Sequence, residues 1–455
     1  MIKLLYPGMH IKRWILFGLV GLFIFLAGIG VMNEVRPDGS HPLAVRIAEW
    51  ITANVHLGLR PGTMGLVLTI VGIAFCLIAF ICLMQSLVHA LDPETRASEL
   101  PDIIYRSRKL ARGRRIVVIG GGTGLSTMLR GLKKFSSNIT AIVTVADDGG
   151  SSGKLQRQLN ILPPGDIRNC LVALADAEPV MTELFQYRFR DSVQPGAPAT
   201  QENALEVATG DSIKPKRDSG FGEGLRDHAF GNLLIAAMCA INNGDFERGI
   251  RETSRVLNIR GRVLPTTVTH VGLRAEMEDG TFLDGESTIA SSPLKIKRVS
   301  LVPAEVCPLD EVIEAIDKAE IIVMGPGSVF TSVIPNLLVK GVPEAIRRSK
   351  AKKVYVCNVM TQKGETNGFS AHDHVRAIEK HARMRVFDYV MINTARPNHE
   401  LLEKYRKVGA VLVEPDSDRI KSEGYRPLQG NYINQSDVVR HDSNLLAADI
   451  MRLLD

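Results

Sequence analysis

The 455-residue sequence predicts an α/β fold with a mostly parallel sheet and helices on both faces, preceded by two transmembrane helices. Three observations lead there. Apolar runs at Ile116–Ile119 and Ile321–Met324 each end in glycines and turn into a helical stretch. From about Arg114 onward, strand-like and helix-like segments alternate, as in a parallel sheet with helical crossovers. Two nearly uncharged apolar stretches lie ahead of that alternation.

The first apolar stretch is Trp14–Met32, and the second lies within Thr63–Leu91, uncharged from Met64 to Met84. Both are about as long as a bilayer crossing requires. Spans are expected at 14–32 and 64–86. A cleaved signal peptide is the alternative for the first, and a buried helix pair for both. A second span follows the first, and no small-residue cleavage site is visible, which favours membrane helices.

Lys3, Lys12 and Arg13 precede the first span, and basic residues crowd Arg96 to Arg115 after the second. The loop Asn33–Gly62 carries Arg36, Arg46 and Arg60, offset by Glu34, Asp38 and Glu49. The positive-inside bias then places both termini in the cytoplasm of a multi-pass cell-membrane protein. The basic cluster could touch anionic headgroups, but a topogenic signal suffices. Residues 1–95 read as a membrane anchor, 96–113 as a basic juxtamembrane linker, and 114–455 as a cytoplasmic domain.

Net charge is +6, concentrated in Arg106, Arg108, Lys109, Arg112, Arg114 and Arg115. Aromatic content is 5%, without basic–aromatic interleaving, so no nucleic-acid partner is expected. The 6 cysteines form no C-x-x-C pair, which argues for a reduced compartment with neither disulfide framework nor structural zinc.

Strands are predicted at Ile116–Ile119, Thr140–Val145, Ile321–Met324, Lys353–Val359, Tyr389–Asn393 and Val411–Val413. Helices are predicted at Leu125–Phe135, Ile167–Ala175, Val180–Arg188, Ala229–Asn242, Phe246–Leu257, Leu309–Lys318, Pro343–Ser349, Asp373–Ala382 and Asn444–Leu454. Val263–Pro303 reads as a β-rich insert, strand-like from Thr266 to Met277 with a hairpin signal at Asp279-Gly280. Asp191–Glu223, rich in Pro, Gly, Ser and charge, reads as a mobile loop.

The chemistry is expected at the strand ends. Gly121, Gly122, Thr123 and Gly124 lead a helix, whose N-terminus offers free N–H groups to an anion. Leu125 stands where a dinucleotide fingerprint needs its third glycine, and no Gly-Lys-Ser/Thr follows. A purely architectural turn is the alternative. The next strand runs into Asp147, Asp148 and Gly149, where ligands bind in open α/β sheets. The carboxylates could hold Mg²⁺ or a sugar hydroxyl, or form an acidic turn.

Asp166 is expected to cap the following helix, with Arg168 and Asn169 in its first turn, within reach of a phosphate or base. Asn232 opens the apolar helix after Asp227 and His228. Gly325, Gly327, Ser328, Thr331 and Ser332 make a second strand-to-helix cradle. Two cradles in one sheet suit a diphosphate better than a single phosphate. Ser370 and Asp373 have capping-box spacing. Arg396, after another strand end, could meet an acidic ligand or an interface carboxylate.

Taken together, GGGTGLS, VTVADDGGSSG, LPPGDIRNCLVALAD, FGNLLIAA, LPTT, GPGSVFTSVIPNLLV, NVMTQKGET and FSAHDHV resemble the gluconeogenesis factor family, related to 2-phospho-L-lactate transferase. The resemblance runs from about Arg115 to the C-terminus and leaves 1–113 and 191–223 outside it. It implies a Rossmann-like fold, binding of a nucleotide-sugar such as UDP-N-acetylglucosamine, and a role in cell shape and wall synthesis on gluconeogenic carbon sources. It implies no assigned catalysis. The expected partners are a UDP-sugar, the membrane, a second copy of the chain and a cell-wall regulatory partner. The alternative is a transferase of a phosphate-linked group, with Asp147 and Asp148 on Mg²⁺. No catalytic residue is legible, since no general base has a committed partner. An oxidoreductase is disfavoured by the missing glycine.

Overall fold

The computed structural model describes residues 11–32, 50, 61–91, 105, 108–176, 179–189, 225–435 and 438–455. The predicted loop Asp191–Glu223 lies outside them, as do Lys3, Arg36, Arg46, Arg60, Arg96 and Arg106. The chain divides into two compact units, Met1–Arg108 and Lys109–Asp455.

In the first unit, the helices Ile11–Met32 and Pro61–Leu91 pack along each other. Their apolar spans, Arg13–Met32 and Thr63–Ser86, are 20 and 24 residues long, enough to cross a membrane. Small residues line the seam. A Cβ on Gly21 would stand 2.8 Å from that of Phe75, and one on Gly28 2.5 Å from the Thr69 nitrogen. Phe17 stacks on Phe75 with ring centroids 4.7 Å apart. Leu16, Leu19, Ile70 and Phe80 face outward instead. Glycines inside and large apolar side chains outside invert the pattern of a water-soluble hairpin and match helix packing in lipid.

The second unit is built on a seven-stranded sheet. Its strands are β1 (Ile116–Gly120), β2 (Ile139–Val143), β3 (Arg262–Pro265), β7 (Ile321–Met324), β8 (Lys352–Val356), β9 (Tyr389–Asn393) and β10 (Arg426–Gly430). Their order is β10-β9-β8-β7-β1-β2-β3, with every neighbouring pair parallel. Each residue of β1, β2 and β7 is buried, so both faces are covered, as a parallel sheet requires. Helix Gly122–Leu132 contributes Leu125, Met128, Leu129 and Leu132 to that core.

Between β3 and β7 sits the predicted β-rich insert, an antiparallel sheet ordered β5-β4-β6, with β4 at Gly272–Met277, β5 at Phe282–Asp284 and β6 at Ile296–Val302. Its turn places Gly280 at φ +87°, the left-handed conformation that the Asp-Gly signal predicts.

Two expectations are corrected. Val411–Val413 is no sheet strand; Leu412 makes one antiparallel bridge to Met360. The edge beside β9 belongs to β10, where Pro427 pairs with Val390. A proline lacking its N–H is tolerated at a sheet edge, and that residue hid the strand from a propensity reading. After Asp148 the chain enters helix Gly150–Leu159, with Gly149 as its N-cap. Residues 266–271 join no strand, and the parallel edge strand comes before them, at Arg262–Pro265.

Candidate functional site at the sheet switch point

Strand order reverses at β1. The chain proceeds from β1 to β2 and β3 on one side, and from β7 to β8, β9 and β10 on the other. Ligands of open α/β sheets bind in the crevice at the carboxyl ends where this reversal occurs. Both predicted glycine turns stand there, Gly120–Gly124 after β1 and Gly325–Ser328 after β7. The helix after β1 begins at Gly122, so the N–H groups of its first turn, which have no intrahelical acceptor, belong to the glycine run itself.

The two turns pack on one another. A Cβ on Gly124 would lie 2.5 Å from the Pro326 carbonyl oxygen, and one on Gly327 3.3 Å from that of Gly121. Gly325 N–H donates to Ile119 O at 2.9 Å. Asn336, fully buried, donates to Gly120 O at 3.1 Å and to Ser332 O at 2.7 Å, and accepts from the Thr266 hydroxyl. Asn358 holds the second turn from both sides: it accepts from Gly327 N–H at 3.1 Å and donates to Gly327 O at 2.8 Å.

The hydroxyls of the second cradle are not all free. Ser328 caps the turn Val329–Val333, accepting from Thr331 N–H at 3.1 Å, while its own hydroxyl donates to buried Glu365. Thr331 Oγ1 also reaches that carboxylate, at 3.4 Å. Burial raises the Glu365 carboxyl above its usual range. Ser332 faces the first turn, 3.4 Å from where a Cβ on Gly121 would stand.

Asp166 does not cap its helix. Pro164 occupies that position, and the helix begins at Gly165. The proline leaves no side-chain oxygen for a cap, and Asp166, one residue into the first turn, faces the glycine run instead. A Cβ on Gly121 would meet its Oδ2 at 2.5 Å, and Gly122 N–H donates to it. Burial first, then the neighbouring charge of Asp147, pushes its carboxyl up to about 7.

Asp147 and Asp148 part ways. Asp147 turns inward, accepting from Gly149 N–H at 2.9 Å and from Ser152, and burial raises its carboxyl. Asp148 turns to the insert, where it accepts from Ser287 N–H at 2.9 Å and from the Ser287 hydroxyl. The insert returns Glu286 toward the same cluster; burial and then the charge of Asp147 push its carboxyl up to about 8. Among the described residues no three His, Cys, Asp or Glu side chains adopt a metal-holding arrangement.

Other expected residues lie further out. Thr123 is exposed beside Gly122. Asn169 accepts from the Arg168 guanidinium at 2.9 Å. Asn232 donates to Ser151 Oγ at 3.0 Å. Arg396 is exposed beyond β9, which lies two strands from β7. Ser370 and Asp373 form the capping box that their spacing predicts. Asn336, Asn358, Glu365 and Glu286 escaped the sequence reading. Asn358 and Glu365 sit within the NVMTQKGET block and were findable there; Glu286 lies in the insert, where nothing local signals its role.

Residues 116–433 match the family of 2-phospho-L-lactate transferase CofD. A Nostoc sp. relative is 41% identical over 453 residues, 99% of this chain and 92% of its own. The gluconeogenesis factor of Halalkalibacterium halodurans is 47% identical over 337 residues, 74% of this chain and 95% of its own. That of Bacillus subtilis is 43% identical over 341 residues, 75% of this chain and 98% of its own. A solved Bacillus halodurans structure aligns with TM-score 0.66 at 46% identity, covering 75% of this chain and all of its own. With an α/β sheet that carries paired glycine turns at its switch point, the chain belongs to the gluconeogenesis factor branch of the CofD family.

Proposed function

We propose that the chain is a membrane-anchored regulator that binds a UDP-sugar of the UDP-N-acetylglucosamine type and adjusts cell shape and wall synthesis during gluconeogenic growth. The observation that carries this reading is the pair of glycine turns packed together at the switch point, one of them starting a helix. Such a pair suits a diphosphate. The gluconeogenic role follows the relatives' name. The cytoplasmic side is set by the basic flanks of the two apolar helices, and the regulator acts as a homo-oligomer with a cell-wall partner. Side chains that could serve a reaction are already engaged: Asp148 by Ser287, Glu365 by Ser328.

The second reading is a Mg²⁺-dependent transferase, favoured by the crowding of Asp147, Asp166 and Glu286, whose carboxyls repel one another. A divalent cation held by Asp147 and Asp148 would relieve that repulsion. Titration calorimetry on the full chain in detergent, with UDP-N-acetylglucosamine and GDP, each with and without Mg²⁺, separates the two. UDP-sugar binding without Mg²⁺, with intact ligand recovered, supports the regulator. A strict Mg²⁺ requirement, a guanine preference or altered ligand overturns it in favour of the transferase. No binding to either nucleotide removes both.

A further inference from the structure

Beside the acidic cluster, at the start of helix Gly165–Leu174, Arg168 is 7% exposed yet has no carboxylate within ion-pair distance among the described residues. Its guanidinium makes one hydrogen bond, to neutral Asn169, and its Nε has no partner. Helix Phe230–Ile241 lies directly on it: a Cβ on Gly231 would stand 2.8 Å from Arg168 Cδ. The next residue, Asn232, is 1% exposed, and its Oδ1 is also without a partner. Asp166 and Asp147 act on this cation only through space, and a buried cation that makes no ion pair among the described residues, like a buried acceptor without a donor, is costly unless something supplies the missing group.

The neighbouring hydrogen bonds fix what else faces this spot. Ser151 Oγ accepts from Asn232 Nδ2 at 3.0 Å and from Ala229 N–H at 3.4 Å. Its own proton therefore goes to His228 Nδ1, 3.1 Å away. That bond leaves the imidazole proton on Nε2, as a further donor. Arg188, whose guanidinium donates to Asp227 O at 3.3 Å, adds positive charge close to Arg168. Lys154 pairs with the Asp227 carboxylate at 3.3 Å.

We propose that Arg168, Asn232 and the Ser151–His228 pair form an anion subsite, distinct from the two glycine turns, that takes a phosphate or carboxylate on a hydroxyl-bearing molecule. The guanidinium supplies the charge. Asn232 Oδ1 accepts from the hydroxyl, so the subsite favours an anion that also presents a hydroxyl, as hydrogen phosphate does, over one that does not. The group comes either from a second small molecule or from the nucleotide ligand itself.

Thermal unfolding of the full chain in detergent tests this at neutral pH, with inorganic phosphate and with sulfate, which has no proton to donate. Phosphate is expected to raise the wild-type midpoint at concentrations where sulfate does less. Arg168→Gln is expected to lose that response, and in phosphate-free buffer to melt no lower than wild type, because it removes a buried charge that makes no ion pair among the described residues. Equal phosphate responses in wild type and Arg168→Gln overturn the subsite. So does a wild type that ignores phosphate while Arg168→Gln melts lower and Arg168→Lys recovers. UDP-N-acetylglucosamine titrated into the same preparations identifies the source. Retained binding in Arg168→Gln indicates a second molecule, and joint loss with phosphate competition indicates the nucleotide's own group. If wild type ignores the UDP-sugar but responds to phosphate, the glycine-turn reading fails and the subsite stands.

Discussion

Gly124 and Pro326 are 202 residues apart in sequence, yet a Cβ on Gly124 would press to 2.5 Å from the Pro326 carbonyl oxygen. That contact joins the turn after β1 to the turn after β7, and so closes the crevice floor at the switch point. The glycines matter here for closeness of approach rather than for the missing third glycine of a dinucleotide fingerprint.

Gly124→Ala and Gly121→Ala are therefore expected to weaken UDP-sugar binding at least tenfold, since one Cβ strikes a backbone carbonyl and the other the Asp166 carboxylate at 2.5 Å. Gly272→Ala is the control: the nearest atom to its Cβ is a carbonyl oxygen 3.9 Å away. Calorimetry on the three variants checks this. Equal affinities in all three would detach ligand binding from the glycine contact.

The pH dependence has a definite sign. Asp166 titrates near 3.8 unfolded and near 7 folded, so between these values the folded chain holds a proton that the unfolded chain has released. This contribution is fully present below about pH 4 and is lost as pH rises through about 7. Asp166→Asn is expected to be more stable than wild type at pH 8, by about 1 kcal/mol or more, with the gap closing toward pH 4. Thermal midpoints of both across that range decide it; a constant gap would sink the coupling.

Asn358→Ala removes both hydrogen bonds that hold Gly327. A loss of about 1–2 kcal/mol in stability is expected, together with about tenfold weaker nucleotide binding. The binding loss is the diagnostic part. If Asn358→Ala loses stability but binds normally, the second turn does not contact ligand.

The helical hairpin can be trapped. A Cβ on Gly18 would lie 3.3 Å from that of Ala79, close to the Cβ separation of a disulfide. Gly18→Cys with Ala79→Cys, in a background where Cys76 and Cys82 are replaced, is expected to oxidise rapidly in the full chain. Adding Gly28→Leu should slow this markedly, because a Cβ there meets the Thr69 nitrogen at 2.5 Å. Unchanged oxidation would mean that the glycine seam does not set the packing.

The sequence by itself determined the elements whose signal is local. Ile116–Ile119 and Ile321–Met324 announced buried strands because parallel strands covered on both faces are apolar at every position. Ser370 and Asp373 announced a helix start because a capping box is a three-residue pattern. The two apolar helices announced themselves by length. Tertiary structure decided everything that depends on residues meeting across the chain. Only strand order reveals that β1 and β7 are neighbours, and hence that both glycine turns border one crevice. Asp147 and Asp148, adjacent in sequence, face different partners because the insert brings Ser287 to one and the helix start at Gly165 brings Ser152 to the other. Pro427 hid an edge strand because propensity describes a residue, whereas an edge is a position that pairing creates. Arg168 was legible as a side chain in a first helical turn within reach of a phosphate; its burial against Gly231, 63 residues away, was not.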